Sequence, residues 1–431
     1  MKVVITLEFR FTRTPDGQVW TRTTYSLPFW NRYLAVFDGV KIVARAEHQA
    51  SVDERYRPVL GPGIEFREVP YYHGPAHYLK VRGRLRAALR SYVGVDDAVL
   101  CRVASPIASD LLPGLWRSGR PYGLEVVGDP YDTFAPGAVK HPMRPIFRYL
   151  LTRSLRRQCS RAAGVSYVTE HALQRRYPAR AEMTVGVSDA DLQSTSFTAE
   201  PRIFTTSYSS AELTGEDYAP RPKQYSSPVY PRLVYVGSME QMYKGQDVLI
   251  RAVRLLTERH CAVELMMIGD GKHRSELEQL TRELSLSDRI RFLGELPAGA
   301  AIKSEFDKAA LLVLPSRTEG LPRVIVEAMA HGLPCIASDV GGIPELLHPD
   351  DLVPADNPDA LADKLQEVLS SPARLTQMSA RNLQRAQQFR PEVLERKRTE
   401  FYKFLRERTE LWLASQTSHS AALAPAELVS R

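Results

Sequence analysis

LLVLPSRTEGLPRVIVEAMAHGLPCIAS, residues 311–338, reads as one complete strand–loop–helix–strand unit. The apolar run Ala310 to Pro315 suits a strand buried on both faces. Ser316 to Pro322 is a loop, in which Gly320 permits a tight turn and Pro322 suits a helix start. Arg323 to His331 has helical periodicity, and Pro334 to Ala337 is the next strand. A strand, a helix and a strand at this spacing predict a parallel sheet covered by helices.

The same rhythm extends on both sides. Strands are predicted at Arg232 to Val236, Ala262 to Ile268 and Ile290 to Leu293. Helices are predicted at Gln246 to Glu258, His273 to Leu284, Ile302 to Ala309, Pro358 to Leu369 and Ala373 to Gln388. The first half alternates similarly. Its strands are Val3 to Leu7, Val40 to Ala44, Ala98 to Val103, Gly123 to Val127 and Gly164 to Val168. Its helices are Ser26 to Phe37, Tyr78 to Tyr92, Pro145 to Ser160 and Glu170 to Arg176. Periodicity fades between about Ser194 and Ser227. The expected organisation is a first doubly wound α/β domain over 1–205, a linker over 206–230 and a second over 231–390. A long helix over 391–413 and a disordered tail over 414–431 follow. Two such domains facing each other leave a cleft, with ligands expected at the carboxyl ends of the strands.

Composition narrows the class. The 431 residues are 44% apolar and 25% charged, with 25 Gly and 30 Pro, which excludes collagen-like and wholly disordered chains. No run approaches the length of a membrane-spanning helix, and the N-terminus lacks a secretion signal's apolar core. The four cysteines stand far apart, so neither a zinc site nor a disulfide framework is expected, and a reducing cytoplasm is the simplest location. The net charge of +7 is local: residues 81–180 carry 17 Lys and Arg against 7 Asp and Glu. The segment Arg144 to Arg161 holds much of this excess around an apolar stripe. It reads either as a helix covering the sheet or as a contact with the anionic inner face of a membrane. Aromatic and basic residues do not interleave as in a nucleic-acid channel, so no nucleic-acid partner is expected.

Several residues carry chemistry. Gly237, Gly269 and Gly294 each end a strand, where glycine lets backbone approach a ligand or, on a structural reading, makes a turn. Lys244, before Gly245, offers a point charge to a diphosphate. Glu319 and Glu327 lie eight positions apart around a helix start whose free N–H groups can hold phosphate or hydroxyl oxygens. A carboxylate matches a vicinal diol, although a capping and a surface glutamate would look the same. In the first half, Val127-Gly128-Asp129-Pro130 ends a strand, and Asp129 reads as a polar group facing the cleft or as an Asx turn. Asp189-Ala190-Asp191 matches a D-x-D metal signature but, lying near the domain junction and remote from the other motifs, reads as a turn.

From Leu233 to about Phe389 these motifs, in this order, resemble the donor domain of family-four (group 1) retaining glycosyltransferases. The resemblance rests on Val236-Gly237-Ser238 with Lys244-Gly245, Gly269-Asp270-Gly271, Arg291-Phe292-Leu293-Gly294, the Glu319/Glu327 pair and Gly341-Gly342-Ile343-Pro344-Glu345. It implies the GT-B fold, with the long helix crossing back to the first domain. It also implies metal-independent transfer of a sugar, with retention, from a nucleotide-diphosphate sugar (UDP- or GDP-) to a glycan or lipid-linked acceptor. No further cofactor is implied; the setting would be cell-surface or exopolysaccharide assembly, at the cytoplasmic side. Lys244 would hold the diphosphate, Glu319 the transferred sugar and Glu327 the ribose. Gly237, Ser238, Gly269, Gly294, Gly320 and Leu321 would line the donor, and Asp129 would orient the acceptor. Ser238 departs from the arginine common in the family, and Arg323 or an arginine of the other domain would be the substitute charge. The alternatives are an epimerase-like GT-B enzyme acting at C2 of a nucleotide sugar and a non-catalytic sugar-nucleotide-binding protein.

Overall fold

The computed structural model describes residues 1–135, 141–179, 203–211, 213–226, 231–297 and 299–422, with side chains to residue 417. Asp189 and Asp191 lie outside the described residues. Two parallel sheets form two domains. In the second, the strand order is Ile290–Gly294, Glu264–Ile268, Arg232–Val236, Leu311–Leu314, Cys335–Ser338, Leu352–Val353, all parallel. Sequence order therefore reverses between Arg232–Val236 and Leu311–Leu314. That reversal opens a crevice beyond the carboxyl ends of these two neighbours. Their following loops carry Lys244 and Glu319.

The first sheet runs Ile64–Val69, Gly39–His48, Lys2–Arg13, Ala98–Val103, Gly123–Val126, Gly164–Tyr167, Phe204–Ser207, again parallel. A short antiparallel extension, Val19–Thr21 with Arg57–Pro58, leaves the far end of Lys2–Arg13. Helices Gly74–Tyr92, Pro106–Arg117 and Arg144–Cys159 cover one face through Leu85, Leu89, Ile107, Leu112 and Leu155. Helix Leu27–Leu34 and the C-terminal helix Pro391–Ala422 cover the other through Trp30, Tyr33, Phe401, Tyr402 and Leu405. The last helix thus packs on the first domain. Gly123 and Gly164 make room for it: a Cβ on Gly164 would stand 2.9 Å from the Phe401 ring.

Three differences from the sequence reading have local causes. Helix Pro106–Arg117, which carries Pro113 and Gly114 in its interior, was not expected; Ser105 caps its start, accepting the Ala108 N–H. The segment Ile64–Val69 alternates charge with apolar residues as an outermost strand, and it too was not expected. The C-terminal helix continues through residues 414–422, which were expected to belong to a tail. Part of the expected linker lies against the second domain: the Lys223 N–H donates to Ser379 Oγ at 2.8 Å and its Nζ to the Phe306 carbonyl at 2.6 Å. Among the described residues no helix is long and apolar enough to cross a membrane.

Candidate active site

The loop after Arg232–Val236 contains the short turn Met242–Lys244 and Gly245, whose φ of +71° is left-handed. A Cβ on Gly245 would fall 1.9 Å from the Pro315 carbonyl oxygen, so only glycine lets this loop close against the end of Leu311–Leu314. The Arg317 N–H then donates to the Tyr243 carbonyl at 2.7 Å. The Arg317 guanidinium grips both carboxylate oxygens of Asp247, at 2.9 and 2.8 Å, and also reaches Asp356 and the Met242 carbonyl. These contacts fix the two loops as one unit. Arg317 and Asp247 were not singled out from sequence; the signal available was an acid two positions after Gly245 and a base two positions before Glu319.

Within this frame Lys244 Nζ donates to Glu319 Oε1 at 2.6 Å, and Ser316 Oγ donates to the same oxygen at 2.9 Å. The Glu319 side chain is 8% exposed and that of Lys244 17%. Buried beneath them, the Tyr235 hydroxyl has no hydrogen-bond partner among the described residues. Its pKa lies far above the ordinary tyrosine value because of burial, with the Glu319 charge adding to the effect. The two residues that the family resemblance puts on the diphosphate and the sugar are therefore ion-paired with each other. Gly320 and Leu321 lead directly into helix Arg323–Ala330, whose first N–H groups lack partners within the helix. Glu327 follows in the second turn, half-buried. Burial raises its carboxyl pKa, and Arg323, one turn earlier, opposes this.

The strand-end glycines are held by neighbouring backbone. A Cβ on Gly269 (φ +134°) would lie 2.0 Å from the Gly237 carbonyl oxygen, and Gly237 packs on the Tyr235 hydroxyl. Gly294 ends the edge strand, two places from the crevice, beside Arg274. Close backbone packing accounts for Gly269, and the left-handed φ of +72° for Gly294. Ser238 is exposed; its Oγ accepts the Glu240 N–H at 3.2 Å.

Asp129 is held by neighbours within the first domain. Its carboxylate accepts the Tyr131 N–H at 2.8 Å and the Tyr177 hydroxyl at 2.5 Å, and it is ion-paired with Arg176. It caps the short helix Pro130–Thr133, with Tyr131 and Tyr177 on one carboxylate oxygen and Arg176 on the other. The Asx-turn reading is the one the geometry takes. The first-domain groups that do approach the crevice are the Val127 carbonyl and the Val168 side chain, which face Gly320 at 3.9 and 3.8 Å from its Cβ position.

A clasp joins the domains beside the site. The Gly342 N–H donates to the Gly320 carbonyl at 2.7 Å, and Gly341 (φ +55°) leaves no space for a Cβ against Glu319. From this turn the Glu345 carboxylate accepts the N–H groups of Glu170, His171 (3.0 Å) and Ala172 (2.7 Å) in the first domain. Arg385 bridges Glu170 and the Glu345 carbonyl at 3.0 and 2.7 Å. The Glu319 loop is thus tied through two glycines to the opposite domain.

The sequence pattern of the Glycosyl transferases group 1 family matches residues 230–371, the segment that holds Lys244, Glu319 and Glu327. The second domain is a group 1 glycosyltransferase domain. Protein CapJ of Staphylococcus aureus is 25% identical over 319 residues, which is 74% of this chain and 74% of CapJ. The N-acetyl-alpha-D-glucosaminyl L-malate synthase of Bacillus anthracis is 30% identical over 180 residues, and the alignment spans only 46% of that enzyme. Solved structures carry the likeness across both domains. The sucrose-phosphate synthase of Thermosynechococcus elongatus superposes with a TM-score of 0.61 at 17% identity, over 98% of this chain and 100% of that one. HepE of Anabaena, in complex with UDP and glucose, gives 0.58 at 15% identity over the same shares. The chain therefore has the GT-B architecture, and its Lys244–Glu319 pair lies where sequence order reverses in the second sheet.

Proposed function

We propose that the protein transfers a sugar from a nucleotide-diphosphate sugar to an acceptor hydroxyl, with retention of anomeric configuration and without a bound metal. The observation that carries this is the Lys244–Glu319 pair at the crevice, facing the first domain across Gly320. Lys244 and the N–H groups at the start of Arg323–Ala330 take up charge on the departing diphosphate. Glu319 holds the sugar hydroxyls and faces the positive charge that develops at the anomeric carbon. Glu327 accepts the ribose hydroxyls. The donor is a UDP- or GDP-sugar, the acceptor a glycan or lipid-linked hydroxyl compound, and the setting cell-surface glycan assembly. A likeness to the lipopolysaccharide outer core galactosyltransferase WaaB (TM-score 0.57, over 96% of this chain) fits that setting. The test is a thermal-shift screen of UDP-, GDP- and ADP-sugars in EDTA, followed by proton NMR of the product's anomeric configuration. Stabilisation by one donor series and a retained configuration are expected. An inverted product, or binding only with added divalent metal, refutes the corresponding part of the proposal.

A membrane contact belongs to the same reading. Helix Arg144–Cys159 buries Thr152, Leu155, Gln158 and Cys159 in its second half. Around its first half Met143, Ile146, Tyr149 and Leu150 are each 47–63% exposed, among Arg144, Arg148 and Arg153. An apolar face rimmed by arginines fits an anionic lipid surface. Co-sedimentation with phosphatidylglycerol vesicles, but not with phosphatidylcholine vesicles, is expected. It should be lost in Ile146→Glu/Leu150→Glu; equal sedimentation with both lipids would refute the contact.

A further inference from the structure

The first domain contains a small pocket at the carboxyl ends of its central strands, in which charged groups stand among valines and tyrosines. Its lining includes Glu125, Arg102, Arg32, Ser209 and Ser210, together with Arg398 from the C-terminal helix. Val127 and Val168 form its rim, and these are the residues that face Gly320 across the crevice. The pocket therefore opens beside the point where the donor sugar would lie.

Its charges do not cancel. Glu125 is fully engaged: Arg102 pairs with it, and the hydroxyls of Tyr208 and Tyr402 donate to it at 2.8 and 3.0 Å. Arg398 gives one terminal N–H to the Ser209 carbonyl at 2.8 Å, while its Nε is buried without a partner among the described residues. Arg102, 7% exposed, also keeps a buried Nε without a described partner. The carboxylate whose field reaches Arg398 is Glu125, already neutralised by Arg102, and the nearby Arg32 acts on it with like charge. Arg102 already has Glu125, whereas Arg398, whose guanidinium lies over the Tyr208 ring at 5.4 Å, has no ion pair with a carboxylate among the described residues; a guanidinium stays charged, so an anion is favoured there.

We propose that this pocket binds the anionic group, a phosphate or a carboxylate, of the sugar acceptor, with Arg398, Arg102 and the Ser210 hydroxyl as donors. The assignment of that group to the acceptor rests on the transfer reading above; the anion site itself does not. The substrate class is then an acceptor that carries negative charge a short distance from the hydroxyl to be glycosylated.

The test is calorimetric titration of the full chain with inorganic phosphate and, separately, with malonate, alongside UDP. A saturable anion site is expected that survives Lys244→Gln, which removes the donor-site cation. It should weaken about tenfold or more in Arg398→Gln and in Ser210→Asp, and partly recover in Arg398→Lys. The Ser210→Asp variant leaves the helix contact of Arg398 intact, so a folding defect in Arg398→Gln does not decide the result. Preference between the two titrants identifies phosphate or carboxylate. No saturable site, or one lost in Lys244→Gln and kept in Arg398→Gln and Ser210→Asp, overturns the proposal. UDP binding is read separately: its failure beside an intact anion site refutes the transfer reading and leaves the pocket standing.

Discussion

Glu319→Gln is expected to lower kcat by about 10²–10³-fold, the usual loss when one preorganised electrostatic partner of a transition state is removed. UDP should bind this variant as well as, or a few-fold more tightly than, it binds the parent. The reason is the pair itself. Lys244 Nζ donates to Glu319 at 2.6 Å, so a diphosphate must share that cation with the carboxylate. Neutralising Glu319 frees Lys244. Lys244→Ala should act oppositely on binding and weaken UDP by about tenfold or more, because it deletes the cation and leaves a carboxylate held only by Ser316. Since the residues are in contact, the double variant should not show the sum of the single effects. Steady-state kinetics with UDP titrations on all four proteins check this. Unchanged kcat in Glu319→Gln, or weaker UDP binding in that variant, would remove Glu319 from the proposed role.

The second domain was legible because its boundaries carry local punctuation. Gly245 precedes helix Gln246–Glu258, and Asn357-Pro358 opens helix Pro358–Leu369, with Asn357 accepting the Ala360 N–H. Lys244 and Glu319 were legible one at a time. That they meet was not, since it depends on Gly245 fitting under Pro315 and on Arg317 tying two loops 70 residues apart in sequence. Asp129 shows the converse: a carboxylate at a strand end fits both a cleft group and a cap, and only the position of Arg176 and Tyr177 decides between them. The polar centre of the first domain was illegible for a stronger reason. Glu125, Tyr33, Tyr208 and Tyr402 come from four segments, the last 277 residues from the first, and none lies in a motif.

That centre carries the largest expected stability effect. Glu125, 2% exposed, accepts hydrogen bonds from Tyr33, Tyr208 and Tyr402 and is paired with buried Arg102. Burial alone would raise its carboxyl pKa, but Arg102, Arg32 and the tyrosine hydroxyls outweigh burial and lower it. Glu125→Ala leaves Arg102 as an uncompensated buried cation and should cost about 3–5 kcal/mol. Tyr402→Phe, which removes one hydrogen bond and keeps the ring, should cost about 1 kcal/mol. Pairing Glu125→Leu with Arg102→Met should recover much of the loss, because the desolvation of both charges disappears together. The pH dependence follows from the direction of the shift. The folded carboxyl sits below its unfolded value, so its stabilisation is complete above the unfolded pKa and is lost as pH falls through the folded one. Urea unfolding followed by tryptophan fluorescence checks all of this, because Trp20, Trp30 and Trp116 lie in the first domain and Trp412 in the helix that returns to it. If Glu125→Ala unfolds at the parent midpoint, the centre does not hold the C-terminal helix to the first domain. Arg398, carried on that same helix, would then lack the fixed position that the anion pocket requires.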